Sequence, residues 1–346
     1  MAYTTIDKSD EYFNTVLYTG NGSTQSITGV GFQPNFVWIK QRNGTYYHRL
    51  IDSVRGATKE LYSNGTDAEA TEVNSLTSFN TDGFTLGSLG AVNSSGDTFA
   101  SWNFLAGGTA VSNTQGSITS SVSANTTSGF SIVSYTGTGS AGSIGHGLGS
   151  TPKMIIKKKR SGADAWNVWH TSIGDGSKAL YLNLTNAIDT NANYASNVPT
   201  SSLFYVGTDS MINASSATYI AYCFAEKKGF SKFGSYTGNG SADGTFIYTG
   251  FKPAFVMIKA SSLAGENWYL IDSTRSTYNP SILYLSPNNS GAEASPGSGQ
   301  FFDFLSNGFK LRVSGSYSNS SGATYIYMAF AENPLVTSGG TPTTAR

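Results

Sequence analysis

Apolar residues recur along this chain at strand spacing. Phe13-Asn14-Thr15-Val16-Leu17-Tyr18 alternates and runs into a Thr-Gly-Asn-Gly turn, Phe36-Val37-Trp38-Ile39 is a short apolar run behind Pro34, and Gly83-Phe84-Thr85-Leu86 follows an Asp-Gly turn. An aromatic alternating run, Thr98 to Phe104, closes the series. These patterns predict strands joined by tight turns. No segment sustains the i, i+3, i+4, i+7 spacing of an amphipathic helix.

The same series occurs three times. Tyr18-Thr19-Gly20-Asn21-Gly22-Ser23 returns as Tyr135-Thr136-Gly137-Thr138-Gly139-Ser140 and as Tyr236-Thr237-Gly238-Asn239-Gly240-Ser241. Behind each stands a proline and a lysine-ended apolar run: Pro34 to Lys40, Pro152 to Lys157 and Pro253 to Lys259. Leu50-Ile51-Asp52-Ser53-Val54-Arg55 recurs as Leu270 to Arg275 and survives only as Trp169-His170-Thr171-Ser172 in the middle copy. Copies spaced by about 100 residues exceed the periods of about 20–50 that build solenoids, so each is long enough to be a domain. The expected fold is all-β, three tandem antiparallel β-sandwiches of jelly-roll or lectin-like type. The expected boundaries are 1–106, a Gly/Ser/Thr-rich linker at 107–128, 129–228, 229–336 and a flexible tail at 337–346, with the second and third units rigidly joined through Ala225 to Phe230.

Composition sharpens this picture. Charged residues make up 12% of the chain and aromatics 13%, with 40 glycines. The usual charged share is about 25%, so Ser, Thr, Asn and Gly must cover much of the surface. The 21 basic and 21 acidic residues balance, which gives no long-range steering toward nucleic acid. No stretch approaches a membrane span or a secretory leader. The single cysteine, Cys223, lies in an apolar run and reads as a small buried hydrophobe.

Candidate chemistry is sparse. His48, His146 and His170 occupy unmatched places, His146 reads as a surface turn residue, and no metal-binding or nucleophile motif occurs. Gly137 to Gly142 spells G-x-G-x-x-G, but no helix can follow through Gly145, Gly147 and Gly149, which excludes a dinucleotide site. Lys157-Lys158-Lys159-Arg160 reads as a solvated strand end, with a grip on lipopolysaccharide phosphates or on a neighbouring subunit's acidic patch as the functional alternatives. Asp52/Arg55 and Asp272/Arg275 read as loop-fixing pairs that could also meet a sugar's hydroxyls. The aromatic crowd of Trp166, Trp169, Trp268 and Tyr269, with Tyr46 and Tyr47, suits core, interface or stacking on sugar rings. The candidate glycan-binding set is therefore Trp166, Trp169, Trp268, Tyr269, Asp272 and Arg275, with Trp38 and Trp102 assigned to the core. No catalytic residue, metal or cofactor is expected.

Tyr3-Thr4-Thr5-Ile6-Asp7, Tyr18 to Ser23, Gly31 to Lys40, Asp52 to Ala57 and Thr77 to Phe84 together resemble a repeat in virion proteins of marine tailed bacteriophages. The resemblance is dense in the first unit, good in the third and thin in the second. It implies a β-sandwich module and a place on a virus particle, without saying which part of the particle. The expected function is a tail fibre or tail appendage that attaches to host-surface glycan, made in the host cytoplasm. By analogy with phage fibres, the partners are other virion proteins and two further copies in a homotrimer. The alternatives are a capsid-decorating or head-fibre protein and a glycan depolymerase using Asp67 and Glu69.

Overall fold

The computed structural model describes residues 3–296 and 301–343, and those residues are nearly all β, in antiparallel sheets. The first repeat holds β1 (Phe13–Thr19), β2 (Gln25–Ile27), β3 (Phe36–Gln41), β4 (Arg49–Asp52), β5 (Lys59–Glu60), β6 (Ala70–Thr71), β7 (Leu76–Asn80), β8 (Gly83–Leu86), the one-turn helix α1 (Gly90–Asn93) and β9 (Thr98–Phe104). The second holds β10 (Val111–Asn113), β11 (Ser120–Asn125), β12 (Phe130–Thr136), β13 (Gly142–Gly145), β14 (Pro152–Lys159), β15 (Asn167–His170), β16 (Lys178–Tyr181), β17 (Asp189–Thr190), β18 (Leu203–Val206), α2 (Ser210–Asn213) and β19 (Thr218–Ala225). The third holds β20 (Ser231–Thr237), β21 (Phe246–Tyr248), β22 (Phe251–Ala260), β23 (Trp268–Asp272), β24 (Phe302–Leu305), β25 (Gly308–Leu311) and β26 (Thr324–Pro334).

One strand order is repeated. The large sheets run β1-β9-β3-β4 and β20-β26-β22-β23, and the same four positions, β12-β19-β14-β15, form the middle of an eight-stranded sheet. A smaller sheet accompanies each: β2-β8-β7, β13-β18 and β21-β25-β24. Residues 107–128, expected as a linker, instead carry β10 and β11, which extend the second large sheet beyond β12. Val122 and Ile118 are buried there. Small polar residues with alternate apolar ones make a strand as readily as a linker once a sheet edge is offered. At the other end, residues 337–343 fold back through Thr337 N–H to Thr341 O (2.9 Å), and Ser338 N–H donates to Asp7 (2.6 Å). Residues 344–346 of the expected flexible tail lie outside the described residues.

The central strands are buried on both faces, which is why their apolar runs are continuous. Val37 and Ile39 pack with Phe84 and Leu86 of the smaller sheet, while Phe36 and Trp38 face the other way. In the third repeat Val256 and Ile258 divide from Phe255 and Met257 in the same manner. The second set from every repeat enters a single shared core. Phe104, Phe224 and Phe330 stand at the same place on β9, β19 and β26, and all three meet there. Their ring centroids are 5.8 Å (104–224), 5.4 Å (104–330) and 6.2 Å (224–330) apart. Trp38 and Trp102 both lie in this core, as expected.

The thrice-written Tyr-Thr-Gly-x-Gly-Ser phrase is a clamp. Tyr18, Tyr135 and Tyr236 donate their hydroxyls to Val92, Ile212 and Ser318 carbonyls, each at 2.8 Å. The first glycine of each phrase lies so close to a facing backbone carbonyl that a Cβ would come within 2.2 Å of Ser94 O or 2.3 Å of Ala214 O and Ser320 O. The second glycine takes φ of 72°, 75° or 68°, a conformation that favours glycine. A fully buried asparagine completes the clamp: Asn93, Asn213 or Asn319. Asn213 accepts from Thr138 N–H (2.9 Å) and donates to Ser140 O (2.6 Å) and Gly207 O (2.7 Å). The G-x-G-x-x-G match is this turn, and a strand follows it in place of a helix.

Asn213→Ala strands a buried donor and two carbonyls, and it should cost about 2–4 kcal/mol in urea-unfolding free energy. A loss below about 0.5 kcal/mol, the range of ordinary surface substitutions, would show that the glycine contacts alone hold the turn.

Candidate functional site

The register of the sheets aligns the expected site residues across the repeats. Phe36 pairs with Asp52, Met154 with His170 and Phe255 with Asp272, so Asp52, His170 and Asp272 are equivalent. Trp102, Tyr222 and Met328 are likewise equivalent on the closing strands. Each member of the first set reaches into the next repeat at the second set. Tyr222 donates its hydroxyl to Asp52 (2.8 Å), and Trp102 donates Nε1–H to Asp272 (3.0 Å). Met328 has no donor, and the opposing residue is His170, whose Nε2 donates to the neighbouring Tyr327 carbonyl (3.2 Å). The contacts run first repeat to second, second to third and third to first. They close a ring.

Further contacts follow the same circuit. Glu69 N–H donates to Arg160 O (2.9 Å), Ile188 N–H to Ser261 O (2.9 Å) and Glu293 N–H to Arg42 O (2.6 Å). Where the side chains are charged, they pair as forks. Arg160 donates to both oxygens of Glu69 (2.8 and 3.0 Å), and Arg42 to both of Glu293 (3.1 and 2.8 Å). At the third junction Ile188 and Ser261 replace both charges together. Such forks are geometrically specific as well as charge-assisted.

This circuit accounts for four of the six residues expected to bind glycan. Trp166 and Trp268 are buried and donate Nε1–H to Tyr62 O and Tyr181 O of the preceding repeat, both at 2.8 Å. Asp272 and Arg275 are buried as a pair, with Arg275 also donating to Leu270 O (2.8 Å) and standing 5.5 Å over the Trp102 ring. Trp169 is buried and donates to Asp175 O (3.2 Å), and Tyr269 is buried among Tyr284, Phe301 and Tyr317. All six are buried, and none of the four aromatic ones offers a ring face to solvent, so the expectation that they form a glycan site is corrected. Interface, core and loop-fixing roles occupy them.

The basic run is corrected too. Lys158, not Lys157, is the equivalent of Lys40 and Lys259, and all three are fully buried. Each ammonium donates to backbone carbonyls: Lys40 to Gln41 and Gly44, Lys158 to Lys159 and Thr66, Lys259 to Ala260 and Thr185. Burial lowers all three pKa values to about 8. Lys157 is buried, Lys159 stands 3.9 Å from Asp164 and Arg160 is spent on Glu69, so the run is not a solvated strand end. His146, expected on the surface, is buried and accepts from Leu148 N–H (3.2 Å) at Nδ1.

What the ring leaves open is a surface cleft in the third repeat, of about 410 Å³, lined by Lys252, Ser273, Thr277, Tyr278, Asn279 and Phe304. Tyr278 is 83% exposed. Its loop is pinned at one end by the Asp272–Arg275 pair and at the other by Asn279, which donates to Phe304 O (2.8 Å) and accepts from Phe304 N–H (2.9 Å). A second cleft of about 360 Å³ adjoins it through Lys252, Ser273 and Thr277 and extends to Phe13, Asn14 and Thr15 of β1. The first repeat has the counterpart of that second cleft around Asn35, Ser53 and Val54. Sequence reasoning passed over Tyr278 in favour of tryptophans; its setting in Ser276-Thr277-Tyr278-Asn279-Pro280, a polar loop between apolar runs, was the available signal. Among the described residues, no group of three or more His, Cys, Asp or Glu is placed to hold a metal ion, and no helix is long and apolar enough to cross a membrane.

A family model described as Domain of unknown function (DUF7483) matches residues 8–334. The chain belongs to this family. No curated protein and no solved structure matches it. The DUF7483 match runs through all three repeats, so the family unit is the closed ring and not the single repeat.

The buried lysines of this DUF7483 chain set its alkaline behaviour. Their folded pKa values, about 8, lie below the unfolded 10.5, so above pH 8 the unfolded chain holds protons that the folded chain has released, and stability rises with pH. Buried Cys223, pushed up to about 12 from 9.0, acts in the opposite sense above pH 9. Urea midpoints should therefore rise from pH 8 to 9, and less steeply in Lys158→Met. A flat or falling profile would contradict the burial of charged ammonium groups.

Proposed function

We propose that this protein is a non-catalytic structural component of a tailed-bacteriophage virion, a tail fibre or tail appendage that attaches to host-surface glycan. In this reading each repeat is a β-sandwich of jelly-roll or lectin-like type, formed by a large sheet and its smaller partner. The resemblance of the repeated phrases to marine phage virion proteins supports the virion assignment. Tyr278 is the observation that carries the glycan attachment. A tyrosine 83% exposed on a loop pinned at both ends leaves its ring open to a ligand, and with Ser273, Thr277 and Asn279 beside it it suits a sugar ring and its hydroxyls.

The second reading, a capsid-decorating or head-fibre protein, is favoured by ring closure. One chain already supplies three units around a common core, so it needs no further copies to complete that core; the homotrimer inferred from fibre analogy would be a trimer of rings. The depolymerase reading asks Asp67 and Glu69 to act as a pair. Burial would raise the Glu69 pKa, but hydrogen bonds and charge from Arg160 and Arg55 outweigh it and hold the carboxylate below its usual value, a poor setting for a general acid.

Tyr278→Ala should abolish binding of labelled protein to host cells while leaving the melting temperature unchanged. Trp268→Ala, by contrast, removes a buried ring and should cost about 3–5 kcal/mol of stability. Host binding by Tyr278→Ala equal to wild type would remove the glycan assignment from this cleft.

A further inference from the structure

The three repeats differ at one edge of their large sheets. In the second, the outer edge of β12 is covered by β11, with Ser121 opposite Ser134, Ser123 opposite Ile132 and Asn125 opposite Phe130. In the first repeat, β1 pairs with β9 alone, and among the described residues no strand lies on its other side. Leu105 N–H donates to Tyr12 O (2.9 Å), so by antiparallel alternation Tyr12, Asn14, Val16 and Tyr18 point their backbone groups at β9. Phe13, Thr15 and Leu17 point theirs outward. These are the counterparts of Phe130, Ile132 and Ser134, the residues that pair with β11.

Exposure differs at the alternate positions: Asn14 and Val16 are half-buried, whereas Ser131 and Val133, their counterparts under β11, are buried, while Phe13 and Thr15 are buried like Phe130 and Ile132. The cleft of about 360 Å³ runs beside Phe13, Asn14 and Thr15, walled on the far side by the third repeat. Thr15 Oγ1 is buried within it and has no hydrogen-bond partner. The third repeat's β20 also pairs on one side only, but there Glu226 accepts from the Phe233 N–H (3.3 Å) and so blunts that edge.

We propose that the outer edge of β1, over Phe13 to Leu17, is a strand-acceptor site that takes an extended segment of a partner chain by β-augmentation. The occupant is a neutral run of small polar and β-branched residues, like Ser120–Asn125 of β11. Main-chain pairing supplies the attraction, and the short side chains fit the cleft between β1 and the third repeat. The pairing of Lys252 with Glu332 in the wall (2.6 Å) leaves no free charge there to attract an ion, and Asp10, which also lines the cleft, disfavours an acidic occupant. The site shares Lys252, Ser273 and Thr277 with the Tyr278 cleft but does not include Tyr278, so Tyr278→Ala and Thr15→Pro test the two readings separately.

The test uses the full chain and a fluorescein-labelled synthetic peptide of residues 118–127. Saturable binding by fluorescence polarisation is expected, with the Thr15 and Leu17 amides exchanging rapidly in the free protein and becoming protected when peptide is bound. Thr15→Pro removes an outward N–H and leaves the bonds to β9 intact, so it should weaken peptide binding at least about tenfold without lowering the melting temperature by more than about 2 °C. Absence of peptide-dependent protection at Thr15 and Leu17 in the wild-type chain would overturn the site, as would equal binding by a folded Thr15→Pro. Self-association of the wild type that Thr15→Pro abolishes would overturn the partner and assign the edge to a second copy of this chain.

Discussion

Phe104, Phe224 and Phe330 meet at the centre of a core that no single repeat owns, and the remainder of the architecture answers to that meeting. A large sheet with one face against its own smaller sheet would ordinarily show the other face to water. Here the second face is apolar in all three repeats, with Phe36 and Trp38, Met154 and Ile156, and Phe255 and Met257 all buried in the shared cluster. Burying a side chain of this size is worth about 1.5–3 kcal/mol, which makes each repeat dependent on the other two. The ring is thus the smallest unit that buries its own apolar surface.

Around that core the polar contacts have diverged in matched pairs. An aspartate faces an indole or phenol donor at two junctions, and at the third, where Met328 has no donor, His170 replaces the aspartate and finds a carbonyl. Arginine–glutamate forks at two junctions become Ser261 and Ile188 at the third, while the backbone bond between those positions persists. A buried aspartate or arginine left without its partner would be strongly destabilising. That constraint explains why the middle repeat lost its Asp and Arg together, a change that looks like simple drift when one repeat is read alone.

The strands, turns and repeats were legible because they are local: period-two alternation, Asp-Gly turns and a glycine phrase each act within a few residues. Trp38 and Trp102 were assigned to the core from the same signal. The fate of Trp166, Trp268, Lys158 and Lys259 was not legible, because their partners include carbonyls in another repeat, such as Tyr62 O, Tyr181 O, Thr66 O and Thr185 O. A lysine closing a strand looks like a solvated tip until another repeat is laid over it. Sequence alignment also placed the middle lysine one residue early. A shift of one exchanges the two faces of a strand, and only the pairing with β19 identifies Lys158 as the residue in register. Residues 107–128 misled for the opposite reason: their composition is that of a linker, and only the β12 edge turns them into strands.

A closed ring requires the three repeats to behave as one body. Differential scanning calorimetry of the intact chain tests this most directly, through comparison of the calorimetric enthalpy with the van't Hoff enthalpy. A shared core predicts one transition in which the two agree. Two or three resolved transitions, or a calorimetric enthalpy two- to threefold above the van't Hoff value, would show repeats that unfold independently and would contradict the closed ring.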